Sequence, residues 1–207
     1  YSSDYIIKFY SIVNVGRDVI IAMEYANYKS LESLLRRHRL LGEEDASYYI
    51  EQILKGVNII HSANLLHRDI KPENILLHLN KGYNQKPIVK ISDFGLAKLL
   101  ERDEMASTQC GTPLYMAPEV YIENKLFNLK ADIWSIGIIF YRCLSGQLPY
   151  PAKSHQELMR LLHSPPKSLS GLITPPCLEL LYQLMDLDPN KRITSDEALN
   201  HPYFLIP

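Results

Sequence analysis

The first 27 residues carry the pattern of β-strands. β-Branched and aromatic side chains dominate residues 5–13 and 19–25, and Gly16-Arg17-Asp18 separates the two runs. Two runs of this composition around a short turn are typical of a hairpin. We therefore predict two antiparallel strands at the start of the chain.

After Asn27 the apolar residues recur at helical spacing. Ser30 is predicted to cap a helix over residues 31–40, and the acidic side chains at positions 43–45 suit the positive end of a second helix. In that second helix the apolar positions are three or four residues apart: Ala46, Ile50, Ile53, Val57 and Ile60. This spacing predicts a helix with one buried face.

The remainder of the chain predicts one more hairpin and a helical body. Apolar runs at 74–77 and 88–91 flank a polar stretch, which indicates two short strands joined by a loop. Further helices are predicted at 132–145, 178–187 and 195–199. The predicted fold class is α+β, with a strand-rich part over residues 1–27 beside a mainly helical body over residues 28–207.

Composition excludes several classes of function. The net charge of −1 and the 46% apolar content are ordinary for a soluble globular protein and favour neither nucleic acid nor an anionic membrane as partner. The apolar run 133–141 is too short for a transmembrane segment. The three cysteines are far apart, and no signal-like leader begins the chain. We therefore expect a reducing, cytoplasmic location.

The segment HRDIKPEN, residues 67–74, places polar groups between two apolar runs. Phosphoryl transfer needs an oriented acceptor hydroxyl, metal ions on the phosphates and positive charge on the transferring oxygens. Asp69 can orient or deprotonate the hydroxyl, Lys71 can neutralise the γ-phosphate, and Asn74 and Asp93 can bind magnesium through oxygen atoms. For any one of these residues, a turn or a helix cap is the alternative.

Three motifs in this order resemble the eukaryotic protein kinase family. His67-Arg68-Asp69 with Lys71 and Asn74 resembles its catalytic loop, Asp93-Phe94-Gly95 its metal-binding loop, and Ala117-Pro118-Glu119 the end of its activation segment. Their agreement in order and spacing is specific, although each is modest alone. The resemblance implies a kinase-like fold with a β small lobe and a helical large lobe, and use of ATP and Mg²⁺.

The resemblance also implies the acceptor and the kinase group. Lys71 marks the serine/threonine kinases, and Thr112 occupies the position that hydrogen-bonds the catalytic acid and this lysine. We therefore expect protein substrates with Ser or Thr hydroxyls. Glu73 can attract a basic residue of the substrate, but Ser30 stands where basophilic relatives carry a second acid, so no arginine preference is predicted. The stretches 78–87, 105–120 and 130–137 are similar to the autophagy-initiating serine/threonine kinases.

Further roles follow only from the resemblance. Thr108 is the expected site of activating phosphorylation, with Arg68 as the partner of the phosphate; the alternative is a polar loop residue. In the adenine pocket, Met23 resembles the gatekeeper residue at the back, and Leu76 resembles the residue that forms the floor beneath adenine. The alternative for both residues is ordinary core packing. The hinge would be formed by Glu24 and Ala26. Structural roles are implied for four residues: His67, Glu119, Asp132 and Arg192.

The chain also departs from the family pattern. No Gly-rich loop, no preceding-strand lysine and no partner glutamate occurs before the hinge. We therefore expect a truncated small lobe, and little or no kinase activity from this chain alone because nothing grips the α- and β-phosphates. The alternative is a pseudokinase-like interaction module. Regulatory subunits are possible partners under either hypothesis.

Overall fold

The computed structural model describes residues 3–80, 86–93, 114–121 and 128–205. It begins with the predicted hairpin, which consists of β1 (Phe9–Val15) and β2 (Asp18–Met23) in antiparallel pairing. Gly16 makes the turn with a φ of +64°, a conformation that costs glycine little because it has no Cβ. A second antiparallel pair consists of β3 (Ile75–His78) and β4 (Ile88–Ile91).

Helices make up most of the remaining described chain. In chain order they are α1 (Leu31–His38), α2 (Glu43–Ser62), α3 (Pro118–Tyr121), α4 (Leu129–Ser145), α5 (His155–Leu162), α6 (Pro175–Leu184), α7 (Ser195–Leu199) and α8 (Pro202–Leu205). In the parts of the chain that the structure covers, none of these helices could cross a membrane, because none is both long and apolar enough.

The core lies between α2 and α4. The predicted stripe of α2 is buried over its whole length, and α4 buries Trp134 and Phe140 at the centre of the helical body. α2 packs against α4, α7 and β4, while α4 packs against α6. Gly137 permits this last contact, since a Cβ at that position would lie 2.6 Å from Met185 Cγ.

Local chemistry explains where predicted and observed boundaries differ. The first strand begins at Phe9 rather than residue 5, because residues 5 and 7 hydrogen-bond Ile91 of β4 instead. α1 ends at His38 because Arg39 adopts a φ of +65°. α6 begins at Pro175 rather than residue 178, since proline fits the first turn of a helix.

The predicted fold class is confirmed. Two small two-stranded sheets lie within a mostly helical structure, and the β1–β2 hairpin is exposed on both of its faces. The chain connects this hairpin to the helical body through residues 24–30. Backbone hydrogen bonds anchor the connection, from Tyr28 N to Leu77 O at 2.9 Å and from Leu77 N to Lys29 O at 2.8 Å.

Candidate active site

The loop that carries Asp69 is attached to the central helix by one buried carboxylate. Asp132, in the first turn of α4, accepts hydrogen bonds from the main-chain N–H groups of His67 and Arg68, both at 3.0 Å. Its Oδ2 also lies 2.9 Å from His61 Nε2. Arg68 has a φ of +71°, so the loop turns sharply just before Asp69. The largely buried helix α4 therefore fixes the backbone of this loop through Asp132.

His67 is buried beneath the loop and does not face the acceptor side. Its Nε2 lies 2.9 Å from the carbonyl oxygen of Ser92, and its Nδ1 accepts from Asp69 N at 3.3 Å. Both ring nitrogens thus bridge backbone groups of the segments that carry Asp69 and Asp93. This arrangement suits a structural residue better than a proton acceptor.

Asp69 lies at the centre of a hydrogen-bonded group of polar side chains. Lys71 Nζ donates to Asp69 Oδ2 at 2.7 Å, and Asn74 Nδ2 donates to the same oxygen at 2.8 Å. Asn74 Nδ2 also donates to the main-chain oxygen of Asp69 at 2.9 Å. The carboxylate is exposed and therefore accessible to an incoming hydroxyl group. The structure thus brings three of the predicted catalytic residues together.

Asp93 is held beside this group through its neighbour in the chain. Ser92 donates to the carbonyl oxygen of Asn74 from both its N–H and its hydroxyl, each at 2.9 Å. Asp93 follows at the end of β4, exposed and with a φ of +61°. Asn74 and Asp93 are therefore presented from adjacent backbone segments.

The donor set at these two residues fits a magnesium ion. Because Asn74 Nδ2 is directed at Asp69, its amide oxygen Oδ1 is left for a cation, and Asp93 adds an exposed carboxylate. Mg²⁺ prefers a few protein oxygens and completes its octahedron with water and phosphate oxygens. Asn74 and Asp93 would supply such a pair of ligands.

The predicted nucleotide residues surround the connection between the hairpin and the helical body. Met23 ends β2, and Glu24 and Ala26 follow it directly. Leu76 pairs through a backbone bridge with Ser30, at the far end of the connection. Leu76 of β3 is therefore linked through the backbone to the residue at which this connection ends.

A buried ion pair that the sequence did not predict stabilises the hinge residue Glu24. Lys90 Nζ lies 2.9 Å from Glu24 Oε1, and the Lys90 side chain is only 4% exposed. Burial raises the pKa of Glu24, but hydrogen bonds from Lys90 and from Lys8 N outweigh burial and hold the pKa below its usual value. The pair joins Glu24 to β4, the strand that ends two residues before Asp93.

A second buried pair fixes the end of the segment before α4. Arg192 donates to both carboxylate oxygens of Glu119, at 2.7 and 3.0 Å, and to the carbonyl oxygens of Lys130 and Asp186. Its guanidinium also lies 5.2 Å from the centre of the Trp134 ring. The structure thus brings Glu119 and Arg192 into direct contact.

Two of the predicted site residues fall on a stretch that the structure does not describe. Thr112 and Thr108 lie outside the residues that the structure describes, as do Phe94 and Gly95. The structure also shows contacts that the sequence reasoning missed, namely the Lys90–Glu24 pair and a contact of Arg142 with Glu32 and Tyr115. A charged residue inside the apolar run 132–145 was the available signal for Arg142.

Comparison with known proteins decides the family. A family model described as the protein kinase domain matches residues 1–204. The chain belongs to the protein kinase family. Use of ATP and Mg²⁺ is general to this domain, which agrees with the cofactors expected from the motifs.

The relatives are serine/threonine kinases. Human (Homo sapiens) serine/threonine-protein kinase ULK1 is 38% identical over 205 residues, covering 96% of this chain and 19% of that protein. Serine/threonine-protein kinase atg1 of Dictyostelium discoideum is 35% identical, with 96% and 30% covered. ATG1a of Arabidopsis thaliana is 33% identical, with 98% and 32% covered. The chain therefore spans about a fifth to a third of the length of these curated relatives. The serine/threonine type and the similarity to the autophagy-initiating group are confirmed.

Proposed function

We propose that the chain carries the phosphoryl-transfer site of a serine/threonine protein kinase, which transfers the γ-phosphoryl group of ATP to Ser or Thr hydroxyls of proteins. One observation supports this proposal most strongly. A single carboxylate oxygen of Asp69 accepts hydrogen bonds from both Lys71 and Asn74, and the main chain of Asn74 is bonded to the residue before Asp93. The residues needed at the acceptor, phosphate and metal positions therefore lie side by side.

Each residue of this group has a defined role in the proposed reaction. The acceptor oxygen forms a bond to the γ-phosphorus, the bond to the β,γ-bridging oxygen breaks, and ADP leaves. Asp69 orients the hydroxyl and receives its proton. Lys71 neutralises charge on the γ-phosphoryl oxygens, and Thr112 supports Asp69 and Lys71 as the family resemblance implies. Mg²⁺, held by Asn74 and Asp93, supplies further charge neutralisation when bound.

The nucleotide-binding and regulatory residues complete the proposal. Met23, Glu24, Ala26 and Leu76 form the adenine site. Phosphorylation of Thr108 adds negative charge that Arg68 can pair with, which makes residues 93–119 a regulatory segment. Protein substrates with Ser or Thr are the main partners, regulatory kinase subunits are further partners, and the cytoplasm is the proposed location.

We further propose that the chain divides into two functional parts. The first part lacks residues that phosphoryl transfer requires, so the chain as a whole is not expected to turn over substrate. Residues 1–27 correspond to two strands and the hinge of the small lobe, and residues 28–207 to the large lobe. No residue before the hinge matches the lysine or the Gly-rich loop that holds the α- and β-phosphates. The 207-residue chain alone is therefore expected to transfer no measurable phosphate. Under a pseudokinase-like function the site would bind a partner without phosphotransfer.

The test compares two forms of the chain with Mg-ATP and a generic Ser/Thr peptide. One form is the 207-residue chain. The other has the Gly-rich strand pair, the lysine strand and the helix with the partner glutamate of a related kinase fused before it. We expect phosphorylation only from the completed form. Its Asp69→Asn variant should lose at least about 100-fold in kcat, at the lower end of general-base contributions.

A folded completed form that binds ATP but transfers no phosphate would favour the interaction module. Turnover by the 207-residue chain itself would refute the claim that the chain is insufficient. Equal activity of the completed form and its Asp69→Asn variant would refute the assignment of the catalytic acid.

A further inference from the structure

An ion pair outside the proposed catalytic group joins two helices far apart in the sequence. Arg142 of α4 donates from Nη1 to Glu32 Oε2 at 2.6 Å and from Nη2 to Glu32 Oε1 at 3.2 Å. The two residues are 110 positions apart. Their side chains are only 20% and 10% exposed, so the pair is largely shielded from water. Such a bidentate pair fixes both side chains in one geometry.

The same guanidinium also reaches the segment before α3. Arg142 Nη1 donates to the hydroxyl oxygen of Tyr115 at 2.6 Å. The carbonyl oxygen of Tyr115 accepts from the Ser135 hydroxyl at 2.7 Å, so α4 contacts both ends of this tyrosine. Tyr115 lies four residues before Glu119 and is therefore fixed at two points near the end of the proposed regulatory segment.

Glu32 connects this group to the loop that carries the catalytic acid. The main-chain N–H of Glu32 donates to the carbonyl oxygen of Pro72 at 3.0 Å. Pro72 lies between Lys71 and Glu73 in HRDIKPEN. The ion pair therefore links three pieces of backbone: the first turn of α1, the catalytic loop, and the residues around Tyr115.

Charges on Arg142 and Glu32 affect the protonation of the residues that they contact. Burial raises the pKa of Glu32, yet hydrogen bonds from Arg142 and Arg36 outweigh burial and leave the pKa lowered. Burial raises the pKa of Tyr115 to about 12, although the charge and the hydrogen bond of Arg142 act in the opposite direction. The Tyr115 hydroxyl is thus linked to Arg142 by charge as well as by the 2.6 Å hydrogen bond.

We propose that Arg142 is a positioning residue for the protein acceptor, because it holds Tyr115 and, through Glu32, the catalytic loop in one arrangement. This proposal rests on the proposed kinase function. Within the part of the chain that the structure describes, the Arg142 side chain hydrogen-bonds Glu32 and Tyr115 and neither Asp69 nor the proposed adenine residues. Substitution of Arg142 should therefore weaken binding of the protein acceptor more than binding of the nucleotide.

Arg36 provides a matched control. It donates from Nε to the same Glu32 carboxylate at 2.7 Å, but its side chain is 75% exposed and has no contact with Tyr115 in the structure as described. Arg36→Gln and Arg142→Gln therefore each remove one cation from Glu32. Only the second should release Tyr115.

The first experiment is hydrogen exchange on the 207-residue chain, which requires no catalytic activity. In Arg142→Gln we expect exchange to be at least about fivefold faster at residues 114–121 and 70–74 than in the unmutated chain, because local opening becomes easier. Arg36→Gln should match the unmutated chain. Unchanged exchange in Arg142→Gln, or equal acceleration in both variants, would overturn the proposal.

The second experiment measures kinetics in the completed form of the chain. Arg142→Gln should raise KM for the peptide acceptor about tenfold, the effect expected from a charge-assisted hydrogen bond, with KM for ATP within about twofold. Tyr115→Phe removes one hydrogen bond and leaves the ion pair intact, so it serves as a milder variant if Arg142→Gln fails to fold. It should raise the same KM by a smaller factor.

If Arg142→Gln raised KM for the peptide and KM for ATP by the same factor and also lowered the melting temperature, Arg142 would have a structural role alone. That result would overturn the proposal. If the unmutated completed form transfers no phosphate, the kinase function fails. The hydrogen-exchange result would then still decide whether Arg142 positions these segments.

Discussion

At the scale of single residues, the loss of Glu119 should destabilise the fold, because it would leave the buried Arg192 cation without its carboxylate. Arg192 is 0% exposed and its guanidinium is bonded to Glu119 and to two carbonyl oxygens. Glu119→Gln removes the carboxylate charge and strands the buried cation. We expect the free energy of unfolding to fall by about 3–5 kcal/mol, measured by urea denaturation.

The control for that prediction is Glu51→Gln, which removes a carboxylate from the partly exposed pair with Lys55. Exposed pairs contribute little, so its effect should stay below about 1 kcal/mol. If the two variants were equally destabilised, the buried pair would have no special role in the fold.

A second prediction for a single residue concerns how the contribution of Glu32 to folding stability depends on pH. Its folded-state pKa lies below the ordinary value of 4.5. A lowered carboxyl pKa stabilises the folded state above the ordinary value and loses this contribution as pH falls through the folded-state pKa. Glu32→Gln should therefore be less stable than the unmutated chain at neutral pH, and the difference should shrink below pH 4.5. Urea unfolding at several pH values tests this, and a difference independent of pH would contradict it.

At this scale the candidate residues came from short motifs and from the family resemblance, which supplied even the distant Glu119 and Arg192, whereas the remote partners of other charged residues were missed. Asp69, Lys71 and Asn74 lie within six positions and were found from one motif, whereas Arg142 contacts a carboxylate 110 positions away. The partner of Lys90 is likewise remote, at Glu24. The local sequence shows that a charged residue lies within an apolar run, but it does not show which distant residue of opposite charge pairs with it.

At the scale of elements, helix α4 contacts three of the segments that form or support the candidate site. Its first turn fixes the catalytic loop through Asp132, its middle packs on α6 through Gly137, and its last turn holds Tyr115 through Arg142. A single rigid helix thereby sets the relative positions of three segments that lie far apart in the sequence.

Gly137→Ala tests how closely α4 packs on α6. Helix propensity alone would favour alanine by about 1 kcal/mol. However, the added Cβ would lie 2.6 Å from Met185 Cγ and 3.2 Å from the backbone carbon of Leu184. Because backbone atoms cannot move aside as a flexible side chain can, we expect a net loss of about 1–3 kcal/mol. An increase in the melting temperature would show that the two helices separate easily.

Element types were easier to predict than element ends. The stripe of α2 and the cap at Ser30 were both read from local spacing. The start of β1 was missed because residues 5–7 pair with β4, more than eighty positions later, and apolar strand composition alone does not reveal the partner. Tertiary pairing of this kind overrides the local pattern.

At the scale of the whole molecule, the fold class followed from the order of the motifs and from the change from strand to helix spacing after Asn27. The first hairpin leaves much of its apolar surface exposed. Both faces of β1 and β2 carry exposed apolar side chains: Phe9, Tyr10, Ile12, Val13, Val15, Val19, Ile20, Ile21 and Met23. Contiguous exposed apolar surface promotes association.

We therefore expect the 207-residue chain to self-associate through this hairpin and to bind a hydrophobic dye. Ile12 pairs with Ile21 and Ile20 pairs with Val13, so Ile12 and Ile20 lie on opposite faces of the hairpin. The double variant Ile12→Thr with Ile20→Thr therefore reduces apolar area on both faces while keeping β-branched residues in both strands. Dye fluorescence should fall and analytical ultracentrifugation should show more monomer. Leu172→Thr is the control, since Leu172 is 76% exposed but lies outside the hairpin. An equal decrease in association in this control would mean that general surface hydrophobicity, and not the hairpin, drives the contact.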